Sequence, residues 1–193
     1  MKLFITPLAR HLSECKSKMT NSISNLPESE VLSYNQRLID DIYIRYKINN
    51  SLEIKELIDS DVIMAKDYNR KTYAGGFYEY AVVSYTYKIE GDRTLLKFKP
   101  SNFMHITNEI DINNDTLILN MDTTYGNTDI SDDYIKGVKS QRDNIIGNIK
   151  SNIKYITEEI EAFNKKLEIE IKELLEKRKS DIEKHNALKK KLM

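Results

Sequence analysis

Apolar and polar residues along this chain fall into three successive patterns. The last is the clearest. From about residue 132 to the C-terminus, Ile135, Val138, Arg142, Ile145, Ile149, Ile153, Ile156, Ile160, Phe163, Leu167, Ile171, Leu174, Arg178, Ile182, His185, Leu188 and Leu192 recur at steps of three or four. Alternating steps of this kind, mostly apolar, mark a long amphipathic helix with a coiled-coil-like seam. Ser131 followed by Asp132 and Asp133 supplies a cap and acids for the positive end of the helix dipole. Glu161–Lys165, Glu168–Lys172 and Glu173–Lys177 stand four apart in the favoured order. Gly137 and Gly147 weaken the helix by roughly 1 kcal/mol each relative to alanine.

The middle pattern is β. Phe77 to Ile89 is dense in Tyr and β-branched residues, and Glu90-Gly91-Asp92 supplies a turn. Thr94–Lys99 reads as a second strand, ended by Pro100. Ile106, Ile110 and Ile112 mark a third, and Leu117, Leu119 and Met121 alternate along a fourth, with Asn113-Asn114-Asp115 as the turn between them. Val62–Lys66 adds an edge strand. Ahead of this region, Val31, Tyr34, Leu38, Ile42 and Tyr46 form one face of a helix from about Pro27 to Ile48. Residues Met1–Leu26 are Ser- and Asn-rich after Leu12 and predict a short helix or strand followed by loop. The expected fold class is α+β: a small antiparallel sheet with a packed helix, then a long helix or helical hairpin. The expected segments are 1–26, 27–129 and 130–193.

Length changes the picture of the last helix. The chain has 193 residues, one ordinary domain with an appendage. About 60 helical residues would span roughly 90 Å, so the seam is expected to fold back on itself or to meet a second chain. The expectation is a homo-oligomer through Ile149, Ile153, Ile156, Ile160, Phe163, Leu167, Ile171 and Leu174. No stop signal precedes Met193, which reads as a frayed terminus or as a junction with a further module.

Charge narrows the partners. Lys plus Arg and Asp plus Glu each number 30, and that balance argues against a chain-wide polyanion binder. From Lys165 to Met193, ten Lys or Arg stand against six Asp or Glu. Lys177, Arg178, Lys179, Lys189, Lys190 and Lys191 are therefore the candidate nucleic-acid contacts, with the tyrosines of residues 73–87 as base-stacking platforms. Cys15 is the only cysteine, which excludes a disulfide framework or a cysteine zinc site within one chain. No run of 18 apolar residues is present, so no membrane-spanning helix is expected, and a cytoplasmic setting follows.

Catalytic signals are sparse. Glu53-Ile54-Lys55, with Asp40 and Asp41 before it, matches the acid and Glu-x-Lys of restriction-type nucleases, where carboxylates hold magnesium and lysine steadies the attacking water. Glu170-Ile171-Lys172 repeats that triplet inside the long helix. His11, His105 and His185 carry no ligand spacing. Gly75-Gly76 lacks the Lys-Ser/Thr of a phosphate loop and precedes a strand, so it reads as a turn or bulge entering that strand. No cofactor and no metal are expected, and the reading is non-enzymatic: an oligomerisation and sensing module that contacts protein, with nucleic-acid binding as the alternative.

One resemblance bears on that reading. The run Ile160-Glu161-Ala162-Phe163-Asn164 through Leu167, then Glu176-Lys177-Arg178-Lys179 and Asn186-Ala187-Leu188, resembles a segment of multidomain bacterial proteins tied to anti-phage defence. It covers about the last third of the chain. The resemblance implies a β-rich N-terminal domain and helical arm preceding an effector domain, with this chain as a sensing or assembly part.

Overall fold

The seam is where the fold is best explained. In the computed structural model, which describes residues 3–106, 110–122 and 131–192, it lies on a single uninterrupted helix, α4 (Asp132–Leu192). The Ser131 hydroxyl accepts from the Tyr134 amide at 3.3 Å, and Asp132 and Asp133 occupy the first turn. No helical hairpin forms. Met193, the other end of the expectation about a junction, lies outside the described residues.

The remaining elements follow in order: β1 (Thr6–Pro7), α1 (Leu8–Ser24), α2 (Glu28–Leu32), α3 (Gln36–Tyr46), β2 (Leu52–Lys71), β3 (Phe77–Gly91), a 3-10 turn (Arg93–Lys97), β4 (Phe98–Lys99), β5 (Ile110–Asn113) and β6 (Thr116–Asp122). The α+β class holds. An antiparallel four-stranded sheet has the order β2-β3-β6-β5. The chain divides into two compact units: residues 1–5 with 51–156, and residues 6–50 with 157–193. These differ from the expected cuts at residues 26 and 129, because chain-order patterning does not reveal that α4 serves both units.

In the first unit, Tyr85, Tyr87 and Ile89 of β3 and Leu117, Leu119 and Met121 of β6 share one buried face. Val138, Ile145, Ile146, Ile149, Ile153 and Ile156 are the buried apolar residues of α4 here. Gly91 has φ +96°, and a Cβ there would lie 2.0 Å from the Ser51 carbonyl oxygen. Only glycine lets β3 end this close to the start of β2. Asn114, at φ 46°, makes the β5–β6 turn in the left-handed region that asparagine tolerates.

In the second unit, Met19 and Ile23 of α1, Ile39 and Ile42 of α3, and Leu167, Ile171 and Leu175 of α4 form one core. Truncating a buried leucine in such a cluster costs about 2–5 kcal/mol.

Five local expectations change. Residues 1–26 hold a 17-residue helix: Leu8, Leu12, Cys15, Met19 and Ile23 keep helical spacing, and packing overrides the low propensity of Ser and Asn. The helix expected over Pro27–Ile48 breaks at Ser33–Asn35, where the Asn35 side chain accepts from the Leu38 amide and starts α3 afresh. β2 runs for 20 residues, not only Val62–Lys66, because its pairing with β3 tolerates outward charges that mask the strand pattern. Thr94–Lys97 is not a strand: the Asp92 carboxylate accepts from the Thr94 amide at 2.9 Å and its hydroxyl at 2.7 Å. The turn that this capping starts buries Leu95 and Leu96 together, which strand alternation forbids. Finally, Ile106 falls outside β5, which holds Ile110 and Ile112.

Candidate interaction surface

The expected oligomer seam is occupied by the chain itself. Ile149, Ile153, Ile156, Ile160, Leu167 and Ile171 are buried within the protomer, and Phe163 and Leu174 are half-buried against the core of the second unit. The premise that one chain cannot cover so long a seam is corrected. α1 and α3 cover its second half, and the first half is buried within the sheet unit. Six of the eight are core, and Phe163 and Leu174 pack against it.

Three polar residues of α4 hold neighbouring main chain with two hydrogen bonds each, and sequence reading missed two of them. Asn152 is the one buried polar side chain among the described residues, at 0% exposure. Its carboxamide accepts from the Met104 amide at 2.7 Å and donates to the Met104 carbonyl at 2.8 Å. Asn164 repeats the motif in the second unit, accepting from the Ile48 amide at 3.0 Å and donating to its carbonyl at 2.9 Å. An amide side chain thus mimics a paired strand residue. The available signal was an asparagine on an otherwise apolar helical stripe. Arg178, expected as a nucleic-acid contact, donates through its guanidinium to the carbonyls of Ile23 and Leu26, where α1 ends.

The other basic candidates divide. The Lys179 ammonium stands 5.6 Å from the Tyr34 ring centroid. Lys177, Lys189, Lys190 and Lys191 are exposed. Of the tyrosines, Tyr85 and Tyr87 are core residues, with the Arg142 guanidinium 5.0 Å from the Tyr85 ring. Burial raises the Tyr87 hydroxyl above its ordinary pKa. Tyr78 and Tyr80 are half-buried on the opposite face of the sheet, and Tyr73 is fully exposed in the β2–β3 turn.

Of the catalytic candidates, Glu53 and Lys55 belong to the first unit, and Asp40, Asp41 and the Glu170 triplet to the second. Lys55 pairs with Glu53 at 2.5 Å and with Glu90 at 3.5 Å, and Lys88 pairs with Glu90 at 2.8 Å. This solvated chain of charges raises the Lys55 pKa, first through the Glu53 hydrogen bond, and lowers that of Glu90, first through Lys88. Asp40 and Asp41 are exposed on α3, where Asp40 accepts from Gln36. Glu170 of the second triplet pairs with Lys16 at 2.7 Å. Among the described residues, no group of three His, Cys, Asp or Glu is placed to hold a metal ion, and no helix is long and apolar enough to cross a membrane. Gly75 and Gly76 form the hairpin turn, Gly75 at φ +82°.

β2 exposes apolar side chains among its charged ones. β6 pairs with β3 only over Val82–Lys88, so among the described residues the outer half of the β2–β3 hairpin has no third strand. Ile58, Val62, Ile63 and Met64 are 50–52% exposed, and Tyr68 and Tyr73 more so. The Tyr68 and Phe77 rings meet edge to face at 5.0 Å. Beside Val62, a cavity of about 200 Å³ opens between the sheet and α4, lined by Val62, Val83, Tyr85, Tyr134, Ile135 and Val138. No family model matches this chain, and comparison with curated proteins and with solved structures gives no match.

Proposed function

We propose that the chain is a non-enzymatic protein-interaction module whose contact surface is the β2–β3 hairpin. One observation carries this reading: Ile58, Val62, Ile63 and Met64 stay half-exposed, with Val62 and Met64 on one face and Ile63 on the other, on a strand whose outer edge has no partner among the described residues. Beyond Ile63 the hairpin continues as a two-stranded ribbon, which is marginal in water, and apolar side chains left half-exposed along such an edge are a recognition feature more than a stabilising one. Contact with a partner returns that surface to an apolar setting and pairs the strand edge. In the setting implied by the helical resemblance, the module senses or assembles a partner for an effector.

The test replaces Ile58, Ile63 and Met64 together by Ser. The variant keeps its far-ultraviolet circular dichroism spectrum, because none of the three is buried. It loses the protein that the unaltered chain retains in affinity capture. Equal retention of that protein by both forms rejects the hairpin as the contact surface.

A further inference from the structure

The outer edge of β2, which has no strand partner among the described residues, carries more than exposed apolar groups. The direction of its amides follows from the ladder. The Ile89 amide donates to the Asp115 carbonyl, toward β6, and the Asp92 amide donates to Ser51, toward β2. Odd residues of β3 therefore bond β6 and even ones bond β2, whose partners Asp61, Ile63 and Ala65 are odd. The amides of Ser60, Val62 and Met64 point away from β3. The Val62 amide confirms this direction by donating to the Asp61 carboxylate at 2.7 Å.

The two faces of this edge differ. Val62, paired with Val83, lies on the side of α4 and lines the apolar cavity. Asp59 and Asp61 lie on the other side, both exposed. Pairing is without register shifts from Asp59 to Asp67, long enough to template a short added strand.

Resting on the proposed protein-interaction reading, we propose that the β2 edge takes up an extended segment of a partner protein as an added antiparallel strand. The residue opposite Val62 is apolar and enters the cavity. The residues one and three positions further on are basic and meet Asp61 and Asp59. A carbonyl of the incoming strand takes the Val62 amide, which frees the Asp61 carboxylate for its cation. Main-chain bonds supply affinity, and alternate side chains supply choice. A second copy of this chain is disfavoured, because it would bring its own Asp59, Asp61 and Asp67 to the same edge.

The probe is a fluorescein-labelled peptide, Thr-Val-Leu-Lys-Thr-Arg-Thr, titrated with the full chain and followed by anisotropy. The expected results are saturable, salt-sensitive binding, about tenfold weaker binding to Asp59→Lys/Asp61→Lys, and a preference of that variant for the peptide with both basic residues replaced by Glu. Asp59→Asn/Asp61→Asn serves where charge reversal perturbs folding, and Val83→Phe, which fills the cavity, also weakens binding. Binding that ignores peptide charge overturns the proposal, as does absence of binding. A wild-type dimer tightened by Asp59→Lys/Asp61→Lys in sedimentation equilibrium overturns it in favour of a second copy. If the Ile58/Ile63/Met64 variant loses its partner while the aspartate and cavity variants keep it, strand addition fails and the interaction reading stands. If all variants keep the partner, both fail.

Discussion

Replacing Asn152 tests whether α4 is held to the chain by its polar clamps as well as by its apolar stripe. Its side chain is fully buried, and both ends of its carboxamide bond the Met104 main chain. Asn152→Leu keeps the branched shape but removes both bonds, leaving an amide and a carbonyl facing a hydrocarbon side chain. Each such unmade bond costs about 1–3 kcal/mol, so the loss is about 2–6 kcal/mol. Asn152→Ala opens room for a water that can bridge the two groups, which reduces the loss to about 1–3 kcal/mol. For a chain of this size a loss of about 3 kcal/mol lowers Tm by roughly 6–12 °C. Asn148→Ala is the control. It removes one exposed bond, to the His105 carbonyl at 3.5 Å, and costs under about 1 kcal/mol. Urea unfolding followed by circular dichroism gives the difference in stability. Hydrogen exchange at the Met104 amide localises it, with protection falling in Asn152→Leu first. A midpoint for Asn152→Leu equal to the wild type, with Met104 still protected, would refute the argument.

Three further outcomes are expected. Ile156→Glu with Ile160→Glu puts two carboxylates at fully buried positions and costs several kcal/mol each. Helical circular dichroism is therefore lost at ambient temperature, and a folded species of halved mass in light scattering would instead restore the oligomer seam. Arg178→Lys cannot fork across the Ile23 and Leu26 carbonyls. Amide exchange at the end of α1 rises, and a loss of about 1.5–3 kcal/mol per bond is expected; unchanged exchange there would remove the capping role. Cys15 donates to the Tyr46 carbonyl at 3.2 Å, and burial raises its thiol pKa against the opposing pull of Lys18. A raised thiol favours the neutral folded form. Its contribution to stability is present below the ordinary thiol pKa of about 8.5 and is lost as pH rises through the folded value. Iodoacetamide reacts with the folded chain more slowly than with the urea-unfolded chain, and equal rates would show an unburied thiol.

Much of the fold was legible because it rests on local periodicity. The 3.6-residue recurrence of α4, its Ser131 cap, the alternation of Leu117, Leu119 and Met121, and the Asn113–Asp115 turn each depend on neighbours in the chain. The β2–β3 turn at Gly75-Gly76 depends on backbone freedom that only a few residue types supply. Sequence alone determined these elements and the absence of a long apolar span. Tertiary structure decided what covers them. The same stripe of Ile and Leu serves an oligomer interface or an internal core, since burial is non-directional and identical in chemistry either way. Only the placement of α1, α3 and the sheet made it core. The roles of Asn152, Asn164 and Arg178 were likewise set by carbonyls and amides between 48 and 155 residues away, which no local pattern encodes. The exposed hairpin was legible only in part. Val62–Lys66 read as a short edge strand, and the strand order does leave β2 at an edge, but its full 20-residue length was masked by charged residues among the apolar ones.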